Sequence, residues 1–115
     1  EVTIRNAAVG VGASHRTPPE AAAAAVQRLL AQGGMFFRNG SGALMLAYVA
    51  SGRLVGYYEP HMHAWDCLAG YCLVQEAGGW YHPFPTQGEQ LIKGAPVVAA
   101  GQGARAELEK LAGLG

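Results

Sequence analysis

The sequence is short of charge. Lys and Arg together number eight, Asp and Glu eight, and only 14% of residues are charged. With the two signs balanced, no broad field draws the chain to nucleic acid or to an anionic membrane surface. Cysteine is scarce as well: Cys67 and Cys72 are the only two, five positions apart in one apolar segment. On a helix that spacing points them to different sides, so they read as free thiols, and a reducing cytoplasm fits. Long apolar runs are missing; none reaches the roughly 18 residues of a membrane span, and no signal peptide opens the chain. An initiator Met is missing too. The chain starts at Glu1, and "EVTIRNAAVGVGAS" reads as a strand already under way, so a piece of a longer protein is expected.

What remains is apolar and rich in glycine. Half of the 115 residues are hydrophobic, enough for one folded domain with a sizeable core. Glycine occurs 17 times, about twice its average share of about 7%, and it mostly punctuates apolar segments, as turns and close backbone approaches do. Residues 2–13 are strand-like. "TPPEAAAAAVQRLLAQGG" then carries helix-start signals: Thr17 as N-cap, prolines in the first turn and Glu20 closing a capping box. Ala22, Val26, Leu29 and Leu30 form its expected buried stripe. "MFF" at 35–37 is a short strand, and Ser41 can cap a second helix, "ALMLAYVAS", apolar on nearly every side. "RLVGYYE" resumes as strand, "AWDCLAGYCLVQEA" as helix, "WYHPF" and "APVVAAG" as strands, and "ARAELEKLAG" as a closing amphipathic helix. The alternation predicts an α/β protein, a mixed sheet flanked by helices, in one domain over residues 1–115.

Two junctions could carry chemistry. In "RNGSGA", Gly40, Ser41 and Gly42 present backbone N–H groups at a helix start, where the dipole favours an anion or a polyol oxygen; an ordinary cap with turning glycines is the plainer alternative. In "YYEPHMHAWDCLAG", Asp66 falls in the first helical turn, where negative charge is favoured, and such a carboxylate is a good hard-oxygen ligand for Mg2+. Glu59, at the end of the preceding strand, could accept hydrogen bonds from substrate hydroxyls. Against this, Asp66 could simply cap its helix and Glu59 could be a solvated strand end. His61 and His63 have chelating H-x-H spacing, but a zinc centre needs three or four ligands. His15 and His82 read as loop residues, and Trp65 is expected to pack beneath the junction.

"GSGALMLAYVASGRLVGYYEPHMHAWDCLAGYCLVQEAGG" closely resembles the carboxyl-terminal part of the inositol monophosphatase family of Mg2+-dependent phosphatases. Trp65-Asp66, Ala69-Gly70 and Glu76-Ala77-Gly78-Gly79 match its Trp-Asp, small-residue and Glu-Ala-Gly-Gly signature; Gly40-Ser41-Gly42, Tyr48 to Gly52 and Tyr57-Tyr58-Glu59 match the segments upstream. The resemblance implies the carboxyl-terminal half of an αβαβα-layered sugar phosphatase fold. It makes Asp66 the catalytic metal ligand from this half, for Mg2+, and Glu59 the contact to substrate hydroxyls. Gly40, Ser41 and Gly42 would line the pocket, with Ser14 a weaker candidate for its rim. The implied reaction is hydrolysis of a phosphate monoester by a metal-activated water, and the implied partners are the amino-terminal half of the same protein and a second subunit in a homodimer, with no nucleic acid and no membrane.

Departures from the pattern set limits. The family's Asp-Pro-x-x-Asp-Gly-Thr motif and its upstream metal-binding Glu are absent, so the chain by itself is expected to be an incomplete, inactive fragment. Gly42 replaces the usual Ala, and Met45 stands where an Asn or Asp is common. A non-catalytic interaction domain that keeps the phosphatase fold is the competing reading. The sequence does not choose among inositol phosphate, histidinol phosphate, a nucleotide 3′-phosphate and fructose bisphosphate.

Overall fold

A computed structural model describes residues 4, 8–13, 17–38, 41–85, 93–101 and 103–114. Five strands form one sheet: β1 (Ala8–Val11), β2 (Met35–Phe37), β3 (Gly56–Met62), β4 (Trp80–Tyr81) and β5 (Ala95–Ala100). Their order is β2-β1-β3-β5-β4, with β2, β1 and β3 parallel and β5 antiparallel to both β3 and β4. Among the described residues four helices accompany them: α1 (Pro19–Ala31), α2 (Gly42–Ala50), α3 (Ala64–Glu76) and α4 (Arg105–Leu111). The expected mixed α/β sheet flanked by helices is what the chain forms.

Strand alternation divides the core into two apolar clusters, one on each face of the sheet. Tyr57, Val97 and Ala99 point toward α2 and α3, where Met45, Leu46, Val49, Cys67, Tyr71 and Val74 meet them. Their neighbours Tyr58, Val98 and Ala100 point the other way, onto Ala25 and Leu29 of α1 and Leu108 and Leu111 of α4. Because successive strand residues face opposite sides, a sheet covered on both faces needs this unbroken apolar run. Two glycines let the layers close. A β-carbon at Gly56 would stand 2.6 Å from Leu108 of α4, and one at Gly70 would stand 2.6 Å from Leu46 of α2.

Local chemistry moves three expected features. The first helix is not capped by Thr17: the N-cap is Pro18, in extended conformation, with no side-chain bond. A residue before proline is driven out of the helical region, so Thr17 and Pro18 are both held extended and Pro19 is the first residue able to turn. Its buried stripe is Ala25 and Leu29, with Ala22 and Val26 partly covered, while Leu30 is 55% exposed. Trp65 does not lie beneath its junction; it is 73% exposed. The buried line of α3 runs through Ala64, Cys67, Gly70, Tyr71 and Val74, and Trp65 is one residue off it.

Candidate functional site

The parallel strands β2, β1 and β3 end at the same edge of the sheet, and α2 and α3 begin there after β2 and β3. Ligands of open α/β sheets bind at such carboxyl edges. A small cavity, about 30 Å³, opens at this edge, lined by Gly12, Ala13, Arg38, Ser41, Gly42, Met45, Tyr57 and Glu59. That is room for about one hydroxyl-sized group. A larger hollow beside Tyr71, Cys72 and Tyr81, about 400 Å³, is mostly apolar, whereas convergent polar groups are what mark a binding site.

Each wall has a local cause. Ser41 caps α2 as the sequence predicts, its Oγ accepting from the Leu44 N–H at 3.3 Å. Glu59 lies inside β3 rather than at its end, just before a register shift between Glu59 and Met62. Pro60 explains the shift, since it has no N–H to give the ladder. Glu59 Oε1 accepts a hydrogen bond from the Tyr57 hydroxyl. Tyr57 is 1% exposed. Burial first, then the hydrogen bond and charge of Glu59, push its phenol far above the ordinary range, so it stays a protonated donor. Gly12 continues the line of β1, its N–H bonded to the Tyr58 carbonyl at 2.8 Å. A β-carbon there would fall inside the Glu59 carboxylate. Arg38, exposed at the mouth, donates to the Ala13 carbonyl at 3.1 Å and ties the end of β2 to the end of β1.

Three of the sequence candidates, Ser41, Gly42 and Glu59, thus share one cavity. Met45, the apolar replacement, forms part of its lining and is buried. Gly40 and Ser14 lie outside the described residues. Asp66 is at the same edge, exposed in the first turn of α3, and does not line the cavity. Its N–H bonds the His63 carbonyl at 3.0 Å, while the N-cap residue is His63. His63 stacks on Trp65 with ring centroids 4.4 Å apart, and His61 meets the Lys93 carbonyl. Among the described residues no three His, Cys, Asp or Glu side chains come together as a metal-binding group. Cys67 and Cys72 are both free, and among the described residues no helix is long and apolar enough to cross a membrane.

Gly12, Arg38 and Tyr57 were not foreseen from the sequence as lining the site. Tyr57 had a usable signal: on a strand, positions two apart share a face, so Tyr57 and Glu59 had to point together. Gly12 and Arg38 had none, since only the pairing of β1 with β2 and β3 brings them to Glu59.

Comparison with known proteins agrees with this fold. The Haemophilus influenzae protein named Nus factor SuhB is 46% identical over 65 residues, 56% of this chain and 24% of that protein. An inositol-1-monophosphatase of Rhizobium meliloti is 47% identical over 60 residues, 52% of this chain and 23% of that protein. The crystal structure of the extragenic suppressor protein suhB from Bartonella henselae superposes with a TM-score of 0.79 at 28% identity, covering 95% of this chain and 42% of that one. The matched segments thus span about a quarter of the length of these two curated relatives, and the chain covers less than half of the solved structure. The model of the inositol monophosphatase family matches residues 3–114, and the chain belongs to that family.

Proposed function

We propose that the protein containing this chain hydrolyses a phosphate monoester of a hydroxyl-bearing small molecule, with Mg2+ as cofactor. This chain supplies the substrate-pocket half, and Asp66 supplies one metal ligand. The single observation that carries the reading is the convergence of Ser41, Gly42 and Glu59 on one cavity at the carboxyl edge of the sheet. Family membership points to the reaction class. The remaining metal ligands come from residues outside this chain, in an amino-terminal half, and assembly as a cytoplasmic homodimer belongs to the same proposal. On its own the 115-residue chain is expected to show no appreciable turnover, because one carboxylate does not hold the metals such a displacement needs.

The division of labour between two carboxylates is the test, made in the full-length protein. Glu59→Gln is expected to raise KM for a polyol phosphate, weakening binding common to ground and transition states, with little effect on an aryl phosphate and none on the Mg2+ dependence. Asp66→Asn is expected to cut kcat on both substrates and to move the Mg2+ curve to higher concentration. Equal Mg2+ shifts for the two variants refute the assignment. A second reading, a non-catalytic interaction domain on the same fold, is favoured by relatives named Nus factor rather than phosphatase. Full-length protein without turnover on any phosphate monoester decides for it.

A further inference from the structure

We propose that Tyr57 is a positioning residue for Glu59: it occupies one carboxylate oxygen, so that the cavity reads a single ligand hydroxyl through the other. The inference rests on the reading of Glu59 as the acceptor for substrate hydroxyls and deepens it.

The geometry constrains both partners. Tyr57 and Glu59 are two apart on β3 and share its α2/α3 face. The Tyr57 ring is locked in the core, so its hydroxyl has one place to be. Its other neighbour is the Met62 Sδ at 3.7 Å, a weak acceptor that does not compete with a carboxylate. Met45 lines the cavity with a thioether, where a polar side chain would offer the hydroxyl another partner. Glu59 therefore receives the proton at Oε1. Gly12 leaves its carboxylate the space in which to lie against Tyr57, and a side chain there would push it away. Among the described residues no hydrogen bond reaches Oε2. The cavity beside it has room for one hydroxyl-sized group.

A free carboxylate swings between rotamers and must be ordered by its ligand; one already fixed by a buried donor avoids that entropic cost. Removing the donor thus weakens binding without touching the reacting centre. The experiment compares wild type, Tyr57→Phe, Glu59→Gln and the double variant in the full-length protein, on inositol monophosphate and on p-nitrophenyl phosphate. Tyr57→Phe is expected to raise KM for inositol monophosphate about 5–10-fold, the worth of one ordinary hydrogen bond, with kcat within about two-fold. It leaves the aryl phosphate unaffected, and in the Glu59→Gln background it adds nothing further. Equal losses on both substrates, or additive losses in the double variant, overturn the proposal and leave Tyr57 a core residue. If wild type hydrolyses neither substrate, the phosphatase reading fails separately, and calorimetry with myo-inositol then decides. Affinity about 5–10-fold weaker in Tyr57→Phe sustains the positioning role; equal affinity, or no binding to wild type, ends it.

Discussion

Gly70 is the sharpest place to test the packing. It sits in α3 where that helix meets α2, and a β-carbon on it would stand 2.6 Å from both Cβ and Cδ1 of Leu46. Carbon atoms in contact rest about 3.5–4.0 Å apart, so Gly70→Ala forces the helices to part by about 1 Å. Leu46 cannot evade this by rotating, because its own Cβ is among the obstructing atoms. Alanine gains about 1 kcal/mol over glycine within a helix. Against that, overpacking costs about 1–3 kcal/mol, and a gap of 0.5–1 Å forfeits about a quarter to a half of each contact along the seam. The expected outcome is net destabilisation of about 1–2 kcal/mol. Urea denaturation measures it, as a lower midpoint with an unchanged slope. Leu46→Ala alone should cost about 2–5 kcal/mol; because it keeps the Cβ and removes only Cγ and Cδ, Gly70→Ala in that background should still destabilise, but by less than in the presence of Leu46, a coupling between touching residues. A Gly70→Ala variant as stable as wild type in the presence of Leu46 would refute the reasoning.

Gly12→Ala is expected to act chiefly on binding. Gly12 is not among the positive-φ glycines, and its nearest obstructing atoms are the movable end of Glu59, with the locked Tyr57 hydroxyl next at 2.9 Å, so the loss of stability in urea should stay at about 1 kcal/mol while polyol affinity falls; a large loss of stability with affinity intact contradicts this. Cys72 is exposed and Cys67 buried, its thiol pushed up to about 11 by burial and then by the Asp66 charge. Iodoacetamide at pH 8 should therefore add one group to the native protein, at Cys72, and two after unfolding; two adducts on native protein count against the packing of α3. The same thiol predicts a stability that is full below its unfolded value of 9.0 and is lost as pH rises toward about 11, since only the unfolded chain ionises in that window. Cys67→Ala should flatten the urea midpoint across it.

Much of the fold was legible because each element carried its own periodicity and punctuation. Ser41 caps α2, Gly52 and Gly78 follow helix ends with φ of 82° each, and "MFF" and "APVVAA" pair as strands. What misled was competition between neighbours. Thr17 and Glu20 have capping-box spacing, but two prolines following Thr17 leave it no helical turn to cap. Trp65 and Leu30 are large and apolar, yet each lies next to the buried line of its helix, and a single step around a helix is enough to expose a side chain. The candidate site was legible only along one strand and one helix start. Glu59 and Ser41 could be named from local chemistry, whereas Gly12 and Arg38 arrive through parallel pairing, which no short stretch of sequence encodes.

The doubly covered sheet has one more consequence, for how strand pairing is chosen. Side chains alternate strictly along a strand, so sliding β3 by one residue against β5 exchanges its faces. In most sheets that exchange is prohibitive, because it drives polar residues inward. Here Tyr57 would merely trade places with Tyr58, and the facing pairs Val97/Val98 and Ala99/Ala100 are nearly equivalent on the two sides. The apolar pattern scarcely distinguishes the two alignments. Glu59 does: slipped by one, it leaves the Tyr57 hydroxyl and the space beside Gly12 for the apolar cluster under α1 and α4, and an unpaired carboxylate there costs several kcal/mol. The acid proposed to meet a ligand thereby also rejects the competing alignment, and variants that neutralise it are expected to lose this proofreading.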